Sequence, residues 1–135
     1  MKIVVASGYF DPLHIGHIEY LELAKKIGDK LIVIVNNDLQ AKLKKGKSFM
    51  IEGDRMKIIS SLKCVDETFL SIDSDETQRK SLERIKPNYF VNGGDRKNNE
   101  IPEAEVCKKL NITIIDNLGK KIRSSSNFTG LKQAK

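Results

Sequence analysis

Apolar and polar positions alternate in blocks along the chain, and the blocks predict alternating strands and helices. Lys2 to Ala6 is a short β-rich run that ends at Ser7-Gly8. From Ile18 to Ile27 the apolar residues Ile18, Leu21, Leu23, Ala24 and Ile27 fall close to helical spacing. Gly28-Asp29 stops that helix. Lys30 to Val35 is nearly continuous in apolar residues, as suits a parallel strand buried on both faces. These three blocks form one β-α-β unit.

The stretch from Asn36 to Met50 is polar and lysine-rich and reads as a loop with a short helical piece. A helix resumes near Glu52 and carries Met56, Ile58, Ile59 and Leu62. Glu67 to Leu70 reads as a short strand, Asp75 to Ile85 as a third helix closed by Pro87, and Tyr89-Phe90-Val91 as a strand running into Asn92-Gly93-Gly94-Asp95. Pro102 is placed for the first turn of a helix to Leu110, Ile112 to Ile115 is the last strand, and the serines from Ser124 are N-cap residues for a final short helix. Strands alternating with helices predict a doubly wound, five-stranded parallel sheet of Rossmann-like α/β class, with helices on both faces. The 135 residues fit one domain, with the lysine-rich stretch a loop inside it.

Composition narrows the function classes. The net charge of +6 asks for an anionic partner or for lysine-rich helix faces. Nucleic-acid binding would add interleaved aromatics or a known module. The three tyrosines and five phenylalanines do not alternate with basic residues, so small anionic ligands are expected and nucleic acid is not. Cys64 and Cys107 stand far apart without a metal or redox motif and read as small buried hydrophobes in a reducing compartment. No stretch reaches the ~18 apolar residues of a membrane span, and Asp11 and His14 interrupt any signal-peptide pattern. The expected location is the cytoplasm.

The candidate chemistry lies at the first strand's exit, Gly8-Tyr9-Phe10-Asp11-Pro12-Leu13-His14-Ile15-Gly16-His17. In an open parallel sheet the ligand sits beyond the strands' carboxyl ends, where the strand order reverses. Gly16 stands just before a helix and leaves room for a phosphate at its N-terminus. His14 and His17 are the only histidines, three residues apart, and near a helix start they can face one ligand. A zinc pair would need further ligands, which are not evident.

This segment resembles the signature of the nucleotidylyltransferase superfamily that carries a HxGH motif. Within it the chain is similar to the small cytidylyltransferase-like group, which includes glycerol-3-phosphate and choline-phosphate cytidylyltransferases and heptose-phosphate adenylyltransferases. The resemblance runs from Lys2 to about Phe128. It implies direct attack of a phosphate or phosphonate oxygen on the α-phosphorus of a triphosphate, with release of pyrophosphate. Positioning and charge neutralisation then do most of the catalysis. It also implies that His14 and His17 contact the triphosphate, that Asp11 lies near the reacting phosphates, and that the backbone of Tyr9 and Phe10 lines the nucleotide.

Further residues gain expected roles from the same resemblance. Lys42, Lys44, Lys45 and Lys47 cluster within six residues. Lys44 best matches a family lysine that grips the acceptor's phosphate, and Lys45 or Lys47 must serve as a second. Arg55 matches a family arginine that binds phosphate through its fork. Gly93, Gly94 and Asp95 would approach the base or ribose and resemble the GGD of the heptose-type adenylyltransferases. Ile122, Ser124 and Ser125 match the serine-rich late motif, near which Lys120, Lys121 or Arg123 supplies a cation. CTP is the favoured donor on chain length and spacing. ATP is the alternative, favoured by Pro12 and by Gly93-Gly94-Asp95. Mg2+ is expected to arrive with the triphosphate, held mainly by phosphate oxygens. A homodimer is what the resemblance implies.

Overall fold

The computed structural model describes residues 1–93 and 102–118. Five strands, β1 (Ile3–Gly8), β2 (Lys30–Val35), β3 (Glu67–Leu70), β4 (Tyr89–Gly93) and β5 (Thr113–Leu118), form one sheet. Its order is β3-β2-β1-β4-β5, and every pairing is parallel. The helices are α1 (Ile15–Lys25), α2 (Asp38–Lys45), α3 (Glu52–Ser60), α4 (Arg79–Ile85) and α5 (Ala104–Lys109). The expected doubly wound α/β architecture is therefore present. No helix among the described residues is long and apolar enough to cross a membrane.

Strand alternation divides the core into two layers. Val4, Ala6, Leu31, Val33 and Val35 pack on one face with Leu21 and Ala24 of α1 and Ile59 of α3. Val5, Ile32, Ile34 and Phe90 pack on the other with Leu82 of α4 and Val106 and Cys107 of α5. The central strands β1 and β2 feed both layers, which explains their unbroken apolar runs. Full burial of each such side chain contributes ~1.5–3 kcal/mol. The chain runs outward from β1 through β2 to β3, then returns to place β4 on β1's other side. The exits of β1 and β4 thus diverge, and that opening is where an open parallel sheet takes its ligand.

Several boundaries differ from those read in the sequence. Helix α1 starts at Ile15, because His14 caps it. The lysine stretch holds a full helix, α2, capped reciprocally by Asn37 and Gln40 and ended by Gly46 at φ 87°. Two helices therefore join β2 to β3. Helix α4 begins at Arg79, four residues later than expected. Asp75 accepts the Thr77 amide at 2.9 Å and hydroxyl at 2.6 Å, holding that stretch in a turn. Pro102 precedes α5 rather than opening it. The helix expected from Ser124 lies outside the described residues. Cys107 is buried and Cys64 half-buried, and both are free thiols.

Candidate active site at the exit of the first strand

The site begins with a reversal of the chain after β1. Phe10 takes a left-handed backbone, φ 52°, and is only 3% exposed. Its ring folds back over Gly8: a Cβ there would lie 2.7 Å from Phe10 Cζ. An alanine at position 8 would therefore displace the ring, and the turn depends on the glycine. The chain then passes through a cis Asp11-Pro12 bond to His14.

His14 is the N-cap of α1, with extended backbone. Its Nδ1 accepts the Gly16 amide at 3.2 Å, and its own amide donates to His17 Nδ1 at 3.1 Å. This is a capping box built from two imidazoles. Gly16 leaves room for it, since a Cβ there would stand 3.1 Å from His14 Cε1. The two rings stack with centroids 3.7 Å apart, and Phe10 meets His17 edge-on at 5.1 Å. Because both Nδ1 atoms accept backbone protons, each neutral ring carries its proton on Nε2. The pair therefore offers two N–H donors at a helix N-terminus, where anions are favoured.

Burial, and then the neighbouring His14, push the His17 pKa down to about 4. His17 is thus a neutral donor at physiological pH. Its folded pKa lies below the unfolded value of 6.5. The unfolded chain therefore binds more protons between those values, and stability falls as pH drops from 6.5 towards 4. We expect the thermal midpoint of the unmodified chain to fall more steeply over that window than that of His17→Gln. Parallel curves in differential scanning calorimetry would show that His17 does not titrate this way.

Asp11 faces inward, and its carboxylate ties down the segment after α2. It accepts the Phe49 amide at 2.7 Å, the Met50 amide at 2.6 Å and Lys45 Nζ at 3.0 Å. Lys45 also donates to the Asp11 carbonyl at 3.0 Å. Burial alone would raise this carboxyl's pKa. The two amides and the ammonium outweigh it and hold the group below its ordinary value. Lys44 reaches the other way, its Nζ 4.8 Å from the Tyr9 ring centroid. The lysines at the end of α2 therefore stand beside β1's exit.

Arg55 is placed differently from the expectation of a phosphate ligand. It is 0% exposed. Its Nε donates to the Met50 carbonyl at 2.9 Å, and its Nη1 to the carbonyls of Tyr9 at 2.9 Å and Asn36 at 2.6 Å. Nη2 donates to Asp38 at 2.8 Å. The guanidinium joins the exits of β1 and β2 to α2 and to the segment that Asp11 holds. In this arrangement it supports the site from behind.

The structure thus brings together Tyr9, Phe10, Asp11, His14, Gly16, His17, Lys44 and Lys45. Gly93 ends β4, the strand paired to β1, and pairs with Leu118 of β5. Gly94, Asp95, Ile122, Ser124 and Ser125 lie outside the described residues. Sequence reasoning passed over Asn36, Gln78 and Glu103. Asn36 follows β2 and is 1% exposed, and its carboxamide lies beside the Tyr9 hydroxyl without completing a hydrogen bond of full geometry among the described residues. Gln78 is 4% exposed, and its Oε1 has no hydrogen-bond partner among the described residues. Its amide donates to Glu103 Oε2 at 2.8 Å. Continuing the period of two past Val35 would have marked Asn36 as an amide on a buried face. Burial, then Glu76, raises the Tyr9 pKa, while the Asn36 amide beside its hydroxyl and Arg55 pull the other way.

Comparison with known proteins places the chain in a family. The family model described as cytidylyltransferase-like matches residues 5–126. The bifunctional protein HldE of Nitratiruptor sp. is 37% identical over 113 residues, covering 82% of this chain and 24% of the relative. The bifunctional protein HldE of Haemophilus influenzae is 44% identical over 102 residues, covering 74% of this chain and 21% of the relative. The chain therefore spans less than a quarter of the length of these curated relatives. A crystal structure of the lipopolysaccharide core biosynthesis protein from Thermoplasma volcanium superposes with a TM-score of 0.74 at 35% identity, covering 87% of this chain and 96% of that one. With its fold, its paired imidazoles and this match over most of its length, the chain belongs to the cytidylyltransferase-like family.

Proposed function

We propose that the chain transfers AMP from ATP to the phosphate of a sugar phosphate, releasing pyrophosphate. The observation that carries the transfer is the stacked His14–His17 pair, with both Nδ1 atoms bound to backbone amides at the sheet's switch point. An acceptor phosphate oxygen forms a bond to the α-phosphorus. The bond from that phosphorus to the bridging oxygen breaks, and pyrophosphate leaves with the electron pair. Charge grows on the phosphate oxygens as this happens. The two Nε2–H donors stabilise it without reorganising, because the capping box already fixes the rings. Lys44 stands where it can meet the acceptor's phosphate.

Three features support ATP and a sugar phosphate over the CTP that length and spacing favour. Gly93-Gly94-Asp95 resembles the heptose-phosphate adenylyltransferases. The curated relatives above are HldE proteins. The Thermoplasma volcanium protein is described by its part in lipopolysaccharide core biosynthesis, and that core is built of sugars. Mg2+ travels with the triphosphate in this reading. The carboxylate of Asp11 is committed to Phe49, Met50 and Lys45 and does not fit the role of metal ligand. The metal would then be held by phosphate oxygens and water.

The test is pyrophosphate release with ATP or CTP, paired with heptose 1-phosphate, mannose 1-phosphate or glycerol 3-phosphate. We expect the highest kcat/KM with ATP and a sugar phosphate. Faster turnover of CTP with every acceptor would overturn the donor. The best rate with glycerol 3-phosphate would overturn the acceptor class.

A further inference from the structure

Strand alternation sends the groups at the sheet's exit to two different sides. Phe10 packs in the layer under α1 and α3, beside the histidine pair. Residues Val5 and Ile34 face α4 and α5. The same period carried onward places Tyr9 and Asn36 on that second side. They are held next to one another there. The Asn36 amide donates to the Gly8 carbonyl at 2.9 Å, and Arg55 Nη1 bridges the Tyr9 and Asn36 carbonyls.

The segment before α4 closes over this corner. Gln40 Nε2 holds the Thr77 carbonyl at 3.0 Å, and Asn37 Nδ2 holds those of Ser71 at 2.9 Å and Asp73 at 3.0 Å. Gln78 follows directly and is fixed to Glu103. The corner is therefore lined by a phenol, two carboxamides and a carboxylate. Gln78 Oε1 is buried without a hydrogen-bond partner among the described residues, and the buried Asn36 carboxamide lies beside the Tyr9 hydroxyl but completes no hydrogen bond of full geometry. Leaving such atoms unpaired is costly, and folded proteins rarely do so without a ligand or water to satisfy them.

We propose that Asn36, Gln78 and Tyr9 line a subsite for the hydroxyl-bearing body of the acceptor, on the side of the sheet opposite the histidine pair. Carboxamides present a donor and an acceptor together, as a hydroxyl needs. A group that only donates or only accepts would leave one half of each amide unpaired. The proposal rests on the sugar-phosphate reading above. It adds the residues that would distinguish a polyhydroxylated acceptor from a simpler alkyl phosphate.

The experiment measures ATP turnover with heptose 1-phosphate in the unmodified chain, in Asn36→Ala and in Gln78→Ala. Each substitution should raise the KM for heptose 1-phosphate by about tenfold and leave the KM for ATP unchanged, because a site made to bond hydroxyls discriminates through them. The thermal midpoint should stay in place for Gln78→Ala, whose Oε1 has no partner among the described residues to lose, and fall only modestly for Asn36→Ala, which gives up its contact with the Tyr9 hydroxyl. An unmoved KM for heptose 1-phosphate in both variants would overturn the subsite while leaving the sugar-phosphate reading intact. A lowered midpoint with equal losses for both substrates would also overturn it, as the mark of a structural role. No turnover of heptose 1-phosphate by the unmodified chain would overturn the acceptor reading and the subsite together.

Discussion

Replacing His17 with alanine lowers the rate of pyrophosphate release by about 10²–10³-fold while the chain stays folded, the effect of removing one preorganised donor from developing charge. The expectation follows from how the ring is held. Its Nδ1 accepts the His14 amide, its face stacks on His14, and its edge meets Phe10. With Nδ1 so engaged, the ring's remaining donor is the Nε2–H. Because the His17 pKa is pushed down to about 4, the ring is neutral before substrate arrives and costs no proton to bring into use. The substitution also removes one side of the capping box, a loss of about 1 kcal/mol. That is small against the 5–15 kcal/mol typical of a domain's stability. Circular dichroism should therefore report a native spectrum, and single-turnover kinetics should separate chemistry from binding. A folded variant with near-normal single-turnover rate would show that His17 does not act on the reacting phosphates.

The core was readable in the sequence for a physical reason. Leu31 to Val35 are buried from both faces, so their apolar run needed no periodicity to be seen. The doubly wound parallel arrangement could also be anticipated, because short alternating elements leave few ways to cover a parallel sheet. Helix α2 was less visible because it buries only Gln40 and Ala41, while its leucines, Leu39 and Leu43, stand exposed among lysines. Its true signals were at its ends, Asn37 with Gln40 and then Gly46, and these are local capping interactions. The start of α4 was hidden for the opposite reason. Asp75 bonds to Thr77 and competes with the helix for the backbone.

The candidate site divides along the same line. His14, Gly16 and His17 lie within one turn, so their spacing already implied a shared surface. Asp11, Lys45 and Arg55 act across 34 to 46 residues of sequence. No spacing rule says whether such a side chain turns to the ligand or to the fold. The motif's carboxylate anchors a segment, and one of the two lysines is engaged by it. A charge run read along the chain could not have distinguished Lys44, over the Tyr9 ring, from Lys45, bound to Asp11.

Arg55→Ala should destabilise the chain by about 3–5 kcal/mol, the range for losing a buried, hydrogen-bonded charge. The guanidinium is fully buried and makes four hydrogen bonds, three of them to the carbonyls of Tyr9, Asn36 and Met50. Alanine would leave those carbonyls unpaired and open a cavity between α3 and the strand exits. The pair with Asp38 contributes less, since that carboxylate is 42% exposed. Arg55→Lys keeps the charge but cannot reach four acceptors from one nitrogen, so it should lose roughly half as much. Urea unfolding measures both, and with a slope of about 1–3 kcal/mol per molar the alanine variant's midpoint should fall by more than about 1 M. An arginine that served mainly to grip substrate phosphate would behave otherwise. Its removal would raise a KM and leave the unfolding curve where it was. An unchanged midpoint in Arg55→Ala would therefore return this residue to the ligand side of the site.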